Sequence, residues 1–89
     1  MDFSFSTEVT TELKKIKHKQ PLLFKKIQKQ LKIFKENIKH PSLRTHKLKG
    51  NLVNTWSISI EGNVRMIYTL KNNEAIFFKI GGHDEVYRR

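Results

Sequence analysis

The chain has 89 residues, 37% of them hydrophobic and 10% aromatic, with 18 Lys and Arg facing 8 Asp and Glu for a net charge of +10. That length allows one small core and excludes a second domain, a Rossmann fold or a barrel, while the apolar content excludes a disordered chain. Cysteine is absent, which removes disulfides, thiolate zinc sites and cysteine nucleophiles. No uncharged run approaches the ~20 residues of a membrane span and no signal-peptide pattern opens the sequence, so the expectation is a single cytoplasmic domain.

The charge is unevenly placed. Residues 13–50 hold twelve Lys and Arg44 against the single acid Glu36, a local net of +12, whereas residues 1–12 sum to −3 and residues 51–89 to +1. A domain this basic binds polyanions: nucleic acid, an acidic protein or an anionic membrane surface.

Phe3 and Phe5 alternate with Asp2, Ser4 and Ser6, a short strand signal. Ser6 or Thr7 can cap a helix over about residues 7–17, with Glu8 and Glu12 near its partially positive end and Val9, Leu13 and Ile16 on one face. Pro21 suits the first turn of a second helix over about 21–38. Leu23, Ile27, Leu31, Phe34 and Ile38 form its apolar stripe, and Lys25, Lys29, Lys32 and Lys39 run along another face. Those lysines fit either a solvated surface or one that meets a polyanion. His40-Pro41-Ser42 ends the helix.

From Asn54 the period changes to two. Trp56, Ile58 and Ile60 alternate with Ser57 and Ser59; Val64, Met66, Tyr68 and Leu70 alternate with Arg65, Ile67 and Thr69; a third run spans Ala75 to Ile80. Glu61-Gly62-Asn63 and Asn72-Asn73 are turn signals, predicting an antiparallel meander. A three-residue first loop pairs Ile60 with Val64 and Ser59 with Arg65, and a three-residue second loop adds Ile76, Phe78 and Ile80 to the face of Trp56, Ile58 and Met66. The helices cover that face. Ser57, Ser59, Arg65, Ile67, Phe77 and Lys79 share the other, a half-polar groove expected to carry function.

Three polar features are expected to converge on this second face: His46-Lys47-Leu48-Lys49-Gly50, Arg65, and the tail from Gly81-Gly82-His83 to Tyr87-Arg88-Arg89. Two His, an Arg, a Tyr and several Lys, without a metal-ligand pattern, are the parts of metal-free RNA cleavage. RNA supplies its own nucleophile, the 2′-OH. The protein needs a base for its proton, an acid for the 5′-oxygen and a cation for the charged phosphorane. Histidine suits the first two roles and arginine the third. There is no P-loop, GxGxxG or HExxH, and no cofactor is expected. The acids Glu61, Glu74, Asp84 and Glu85 are too few and scattered for a two-metal nuclease. Residue types alone leave two readings open, a basic nucleic-acid-binding α+β domain and a ribonuclease.

The sequence resembles the RelE/ParE superfamily of type II toxins across nearly its whole length. The resemblance is carried by His46-Lys47-Leu48-Lys49-Gly50, Trp56-Ser57, Val64-Arg65-Met66-Ile67-Tyr68 and Gly82-His83-Asp84-Glu85-Val86-Tyr87. It implies an α+β, RNase-like fold with a helical hairpin on a curved antiparallel sheet, and a ribosome-dependent mRNA endonuclease held inactive by a co-expressed antitoxin. By this resemblance Arg65 matches the arginine at the scissile phosphate, His83 the C-terminal general acid of YoeB-like and YafQ-like members and His46 the base side, while Tyr87 lies near a C-terminal tyrosine of the RelE branch and is expected to orient the substrate or back up the acid. Lys47, Lys49, Lys79, Arg44 and Arg88 are the candidate RNA-binding cations. The implied partners are an acidic, partly helical antitoxin, mRNA and the ribosome, with operator DNA reached only through the antitoxin complex and no membrane. The paired lysines of the RelE branch stand here as Ser57 and Ser59, so the YoeB or YafQ arrangement is the better pattern. Two alternatives remain: a ParE-like gyrase poison without the catalytic set, and a plain RNA- or ribosome-binding module.

Overall fold

A computed structural model describes residues 1–48 and 54–82 of the chain. In chain order it contains β1 (Phe3–Phe5), α1 (Thr7–Lys19), α2 (Pro21–Glu36), a 3₁₀ turn (Pro41–Leu43), β2 (His46–Lys47), β3 (Thr55–Glu61), β4 (Val64–Lys71) and β5 (Glu74–Gly82). The strands form one sheet in the order β1-β5-β4-β3-β2. The expected meander β3-β4-β5 is antiparallel, as is β2 on β3. β1 lies parallel to β5 at the far edge, so the sheet is mixed.

Local chemistry sets the helix ends. Ser6 Oγ accepts the Val9 N–H at 3.1 Å and caps α1, satisfying a donor that has no intrahelical partner. Pro21 opens α2, where its missing N–H costs nothing. Gln20 closes one helix and begins the next, so the two stay adjacent as a hairpin. α2 ends at Glu36, two residues short of the expected 38.

The helices cover one sheet face. Val9 and Ile16 of α1 and Ile27, Leu31 and Phe34 of α2 are buried against Ile58, Ile60, Met66, Tyr68, Ala75 and Phe77. Phe34 is the hub: its ring meets Tyr68 at 5.1 Å and Phe77 at 5.2 Å, both edge-on, the favoured geometry for aromatic quadrupoles. Gln30, buried on the same helix, donates Nε2 to the Ser42 carbonyl at 3.1 Å and the Ser59 carbonyl at 2.9 Å. One side chain thus ties α2 to the 3₁₀ turn and to β3.

Both hairpins differ from the expected register, each for a definable reason. The β3–β4 turn has two residues, Gly62-Asn63, with Glu61 opposite Val64. A bulge between Ser59 and Glu61 then restores Ser59 opposite Arg65. The extra residue keeps Ile60 on the core side, and the displaced Ser59 carbonyl is taken by Gln30. The β4–β5 turn also has two residues, Asn72 and Asn73, with φ of 53° and 63°. Asparagine tolerates that left-handed region, and two such residues match the twist of a hairpin. Leu70 therefore faces Ala75, and Tyr68 faces Phe77. Phe77 enters the core, contrary to its expected place on the open face, and Phe78 falls at a second bulge between Ile67 and Tyr68. That bulge returns Ile80 to a position opposite Met66 on the helix side, as expected.

Candidate active site

The sheet face away from the helices collects residues by register. His46 pairs with Ser57, Ser57 with Ile67, and Ile67 with Lys79, so these four form one row across β2, β3, β4 and β5. Ser59, Arg65 and Gly81 form the adjacent row. Side chains in paired positions share a face; His46, Arg65 and Lys79 therefore stand on one face, as the sequence predicts. The middle of that face is closed rather than an open groove, since Ser57 is 0% and Ile67 1% exposed. His46 is exposed and Lys79 half-buried.

Arg65 is held, not loose. Its Nε–H donates to Ser57 Oγ at 3.0 Å, and Nη2 donates to the Arg44 carbonyl at 2.6 Å and to the Ser57 carbonyl at 3.4 Å. These bonds draw the guanidinium diagonally over β3 towards β2, the strand that carries His46. The Arg44 carbonyl is available because Arg44 ends the 3₁₀ turn in a left-handed conformation, φ 44°, with its N–H on the Pro41 carbonyl. Among the described residues the Nη1 group makes no hydrogen bond, which leaves two N–H donors for an anion. A fixed guanidinium with one free edge can bind a phosphate oxygen without first ordering its own side chain.

The remaining candidates separate. Lys47 pairs with Trp56, and its Nζ lies 5.7 Å from the centroid of that ring, on the helix side of the sheet. It does not share the face of Arg65, because alternate residues of a strand point to opposite sides. Arg44 is exposed beside the 3₁₀ turn and contributes its carbonyl to the clamp. Lys49, His83, Tyr87 and Arg88 lie outside the described residues. The ten lysines at positions 14–39 are all exposed, on α1, α2 and the segment after α2.

Sequence reasoning placed Ser57 on the face of Arg65 but missed it as that arginine's hydrogen-bond partner. The expected pairing of Ser59 with Arg65 already placed Ser57 diagonally next to that arginine on the same face. The Arg44 carbonyl had no such signal, since a left-handed arginine has no sequence signature.

A two-helix hairpin on a five-stranded sheet, with a clamped arginine and a histidine on the face away from the helices, makes this a small basic α+β domain. The family model described as the bacterial toxin of type II toxin-antitoxin systems, YafQ, matches residues 1–88, and the chain belongs to that family. Solved toxin structures share the fold. The YoeB dimer from Staphylococcus aureus is 25% identical, with a TM-score of 0.73 over 93% of this chain and 97% of that one. A YoeB/ParE toxin from Agrobacterium tumefaciens is 15% identical, with a TM-score of 0.79 over 93% and 99%. The toxin of the Escherichia coli DinJ-YafQ toxin-antitoxin complex is 19% identical, with a TM-score of 0.70 over 97% and 96%. A comparison with curated proteins found no match.

Proposed function

We propose that this toxin is a metal-independent, ribosome-dependent endoribonuclease that inhibits translation by cutting mRNA. The observation that carries the reading is the Arg65 clamp: an arginine fixed by Ser57 and the Arg44 carbonyl, with its Nη1 edge unengaged, on the face that also bears His46 and Lys79.

In this reaction His46 takes the proton of the 2′-OH, and the 2′-oxygen attacks the adjacent phosphorus. The bond to the 5′-oxygen breaks as His83 supplies the leaving group with a proton. The products are a 2′,3′-cyclic phosphate and a 5′-OH. Arg65 Nη1 and Lys79 oppose the charge that builds on the phosphorane, the step at which a fixed cation lowers the barrier. Tyr87 orients the substrate, and Lys49, Arg44 and Arg88 hold flanking phosphates; Lys47, turned to the helix side of the sheet, takes no part. The exposed lysines of α1 and α2 suit the ribosome's phosphate surface, and a protein that acts on translating ribosomes acts in the cytoplasm. Inhibition falls to an acidic, partly helical antitoxin, through which the pair reaches operator DNA. Toxins of similar fold have been solved in toxin-antitoxin complexes, YoeB-YefM from Staphylococcus aureus and DinJ-YafQ from Escherichia coli.

The test adds purified protein to programmed ribosomes and maps the mRNA ends, with a gyrase supercoiling assay alongside. New ends carrying cyclic phosphate, with gyrase unaffected, support the nuclease. Intact mRNA with inhibited gyrase identifies a ParE-like poison, and neither effect reduces the protein to a binding module.

A further inference from the structure

A concavity of about 500 Å³ lies on the opposite side of the sheet from Arg65 and His46, where the end of α2 and the 3₁₀ turn meet β3 and β4. That volume is within the range of ordinary ligand clefts, roughly 300–1,000 Å³. Ile38, Pro41 and Leu70 form apolar walls, Trp56 and Tyr68 the base, and Lys39 and Arg44 stand at the edge. Among the described residues no acidic side chain lines it.

Tyr68 adds an independent sign of a ligand. It is 2% exposed, and its hydroxyl makes no hydrogen bond among the described residues. No described side-chain polar atom is both sealed in and unsatisfied, so the hydroxyl reaches solvent through the concavity it lines. Burial raises its pKa above the ordinary tyrosine value, which keeps it a proton donor. A donor at the base of an apolar cleft under a cationic edge calls for an oxygen acceptor.

Trp56 decides between ligand classes. It stacks on Tyr68 at 5.7 Å and 17°, and Lys47 Nζ stands 5.7 Å from its centroid. These two are its neighbours on either side in the cross-strand row, so both ring faces are engaged and none is offered to a nucleobase, which single-strand RNA binding would need. The walls instead fit an aliphatic side chain.

We propose that this groove is the docking site for an acidic peptide segment bearing an apolar anchor. The anchor inserts against Ile38, Leu70 and the Trp56 edge, carboxylates meet Lys39 and Arg44, and a peptide oxygen accepts the Tyr68 hydroxyl. The natural owner of the segment is the inhibitory antitoxin, and that attribution alone rests on the toxin reading above. Because Arg44 lines the groove and also supplies the carbonyl that clamps Arg65, a peptide seated here adjoins the catalytic arginine without covering it.

Trp56 is the only tryptophan, so its emission reports on the groove directly. The probe is a capped heptapeptide of Glu and Asp with one central Leu. Its controls are the same peptide with Ser for Leu and a ten-nucleotide oligouridylate. The Leu peptide is expected to shift Trp56 emission saturably, and the Ser peptide to bind about 10-fold more weakly, as for losing one buried aliphatic group. Tyr68→Phe and Lys39→Glu should each weaken binding roughly 3- to 10-fold. Leu70→Glu, at a half-buried wall, should abolish it and serves if Tyr68→Phe fails to fold. No saturable shift, equal binding of the two peptides, or a stronger response to oligouridylate overturns the proposal. Ribosomal mRNA cleavage is measured on the same preparation: cleavage without peptide binding removes only the groove, and peptide binding without cleavage removes only the nuclease.

Discussion

Arg65 donates its Nε–H to Ser57 Oγ at 3.0 Å, and Ser57 is itself fully buried in the neighbouring strand. The arginine is thus aimed by a residue with no charge of its own. Hydrogen bonds to charged groups are worth about 1.5–3 kcal/mol, so Ser57→Ala should lower kcat/KM for mRNA cleavage by roughly 10- to 100-fold. Arg65→Ala should cost 10²-fold or more, on the order of losing one transition-state donor. In the Arg65→Ala background, Ser57→Ala should cost little further, because the two act as one unit. Full additivity in that double-mutant cycle contradicts the clamp.

Gln30 bridges α2 to the 3₁₀ turn and β3 through two carbonyls, of Ser42 and Ser59. Gln30→Leu keeps the volume but leaves both acceptors without this donor. The expected loss is about 1–3 kcal/mol, read as a lower urea midpoint with an unchanged m-value. A variant as stable as the wild type shows that solvent replaces the bridge.

The outline of the fold was legible because it rests on periodicity. Val9, Ile16, Ile27, Leu31 and Phe34 recur at helical spacing, and all five are buried. Ile58, Met66 and Tyr68 alternate, and all three are in the core. The register of β5 was not legible, because Ala75 to Ile80 is nearly continuous in apolar character and either face satisfies it. Two features settle it: the Asn72-Asn73 signal is a tight two-residue turn with both asparagines left-handed, and a bulge falls beside Phe78. The site divides the same way. The shared face of His46, Arg65 and Lys79 follows from alternation, whereas the Arg44 carbonyl depends on one backbone angle.

The Asn72-Asn73 turn offers a direct check of that register. Asn73 sits at φ 63°, and glycine is the favoured second residue of such a turn. Asn73→Gly should leave stability unchanged or raise it by a few tenths of a kcal/mol, whereas Asn73→Val should lower it by about 1–2 kcal/mol through backbone strain. Equal thermal midpoints for Gly and Val contradict a left-handed residue here.

The two histidines should separate in a pH profile. A base acts when neutral and an acid when protonated, so the two roles shape opposite limbs of the pH–rate profile. His46→Ala should remove the rise on the acid side, and His83→Ala the fall on the alkaline side. A His46→Ala protein with the wild-type profile and rate transfers the base role to a lysine or to the ribosome.

The central claim is that Arg65 stabilises cleavage by the substrate's own 2′-OH. Its most direct test is single-turnover cleavage of mRNA on a programmed ribosome, comparing wild type with Arg65→Ala and normal mRNA with one carrying a single 2′-deoxynucleotide at the cut site. The account predicts a 2′,3′-cyclic phosphate end, loss of cleavage with the deoxy substrate, and a rate reduced about 10²-fold or more for a folded Arg65→Ala protein. An undiminished Arg65→Ala rate, or cleavage of the deoxy substrate at the same position, contradicts it.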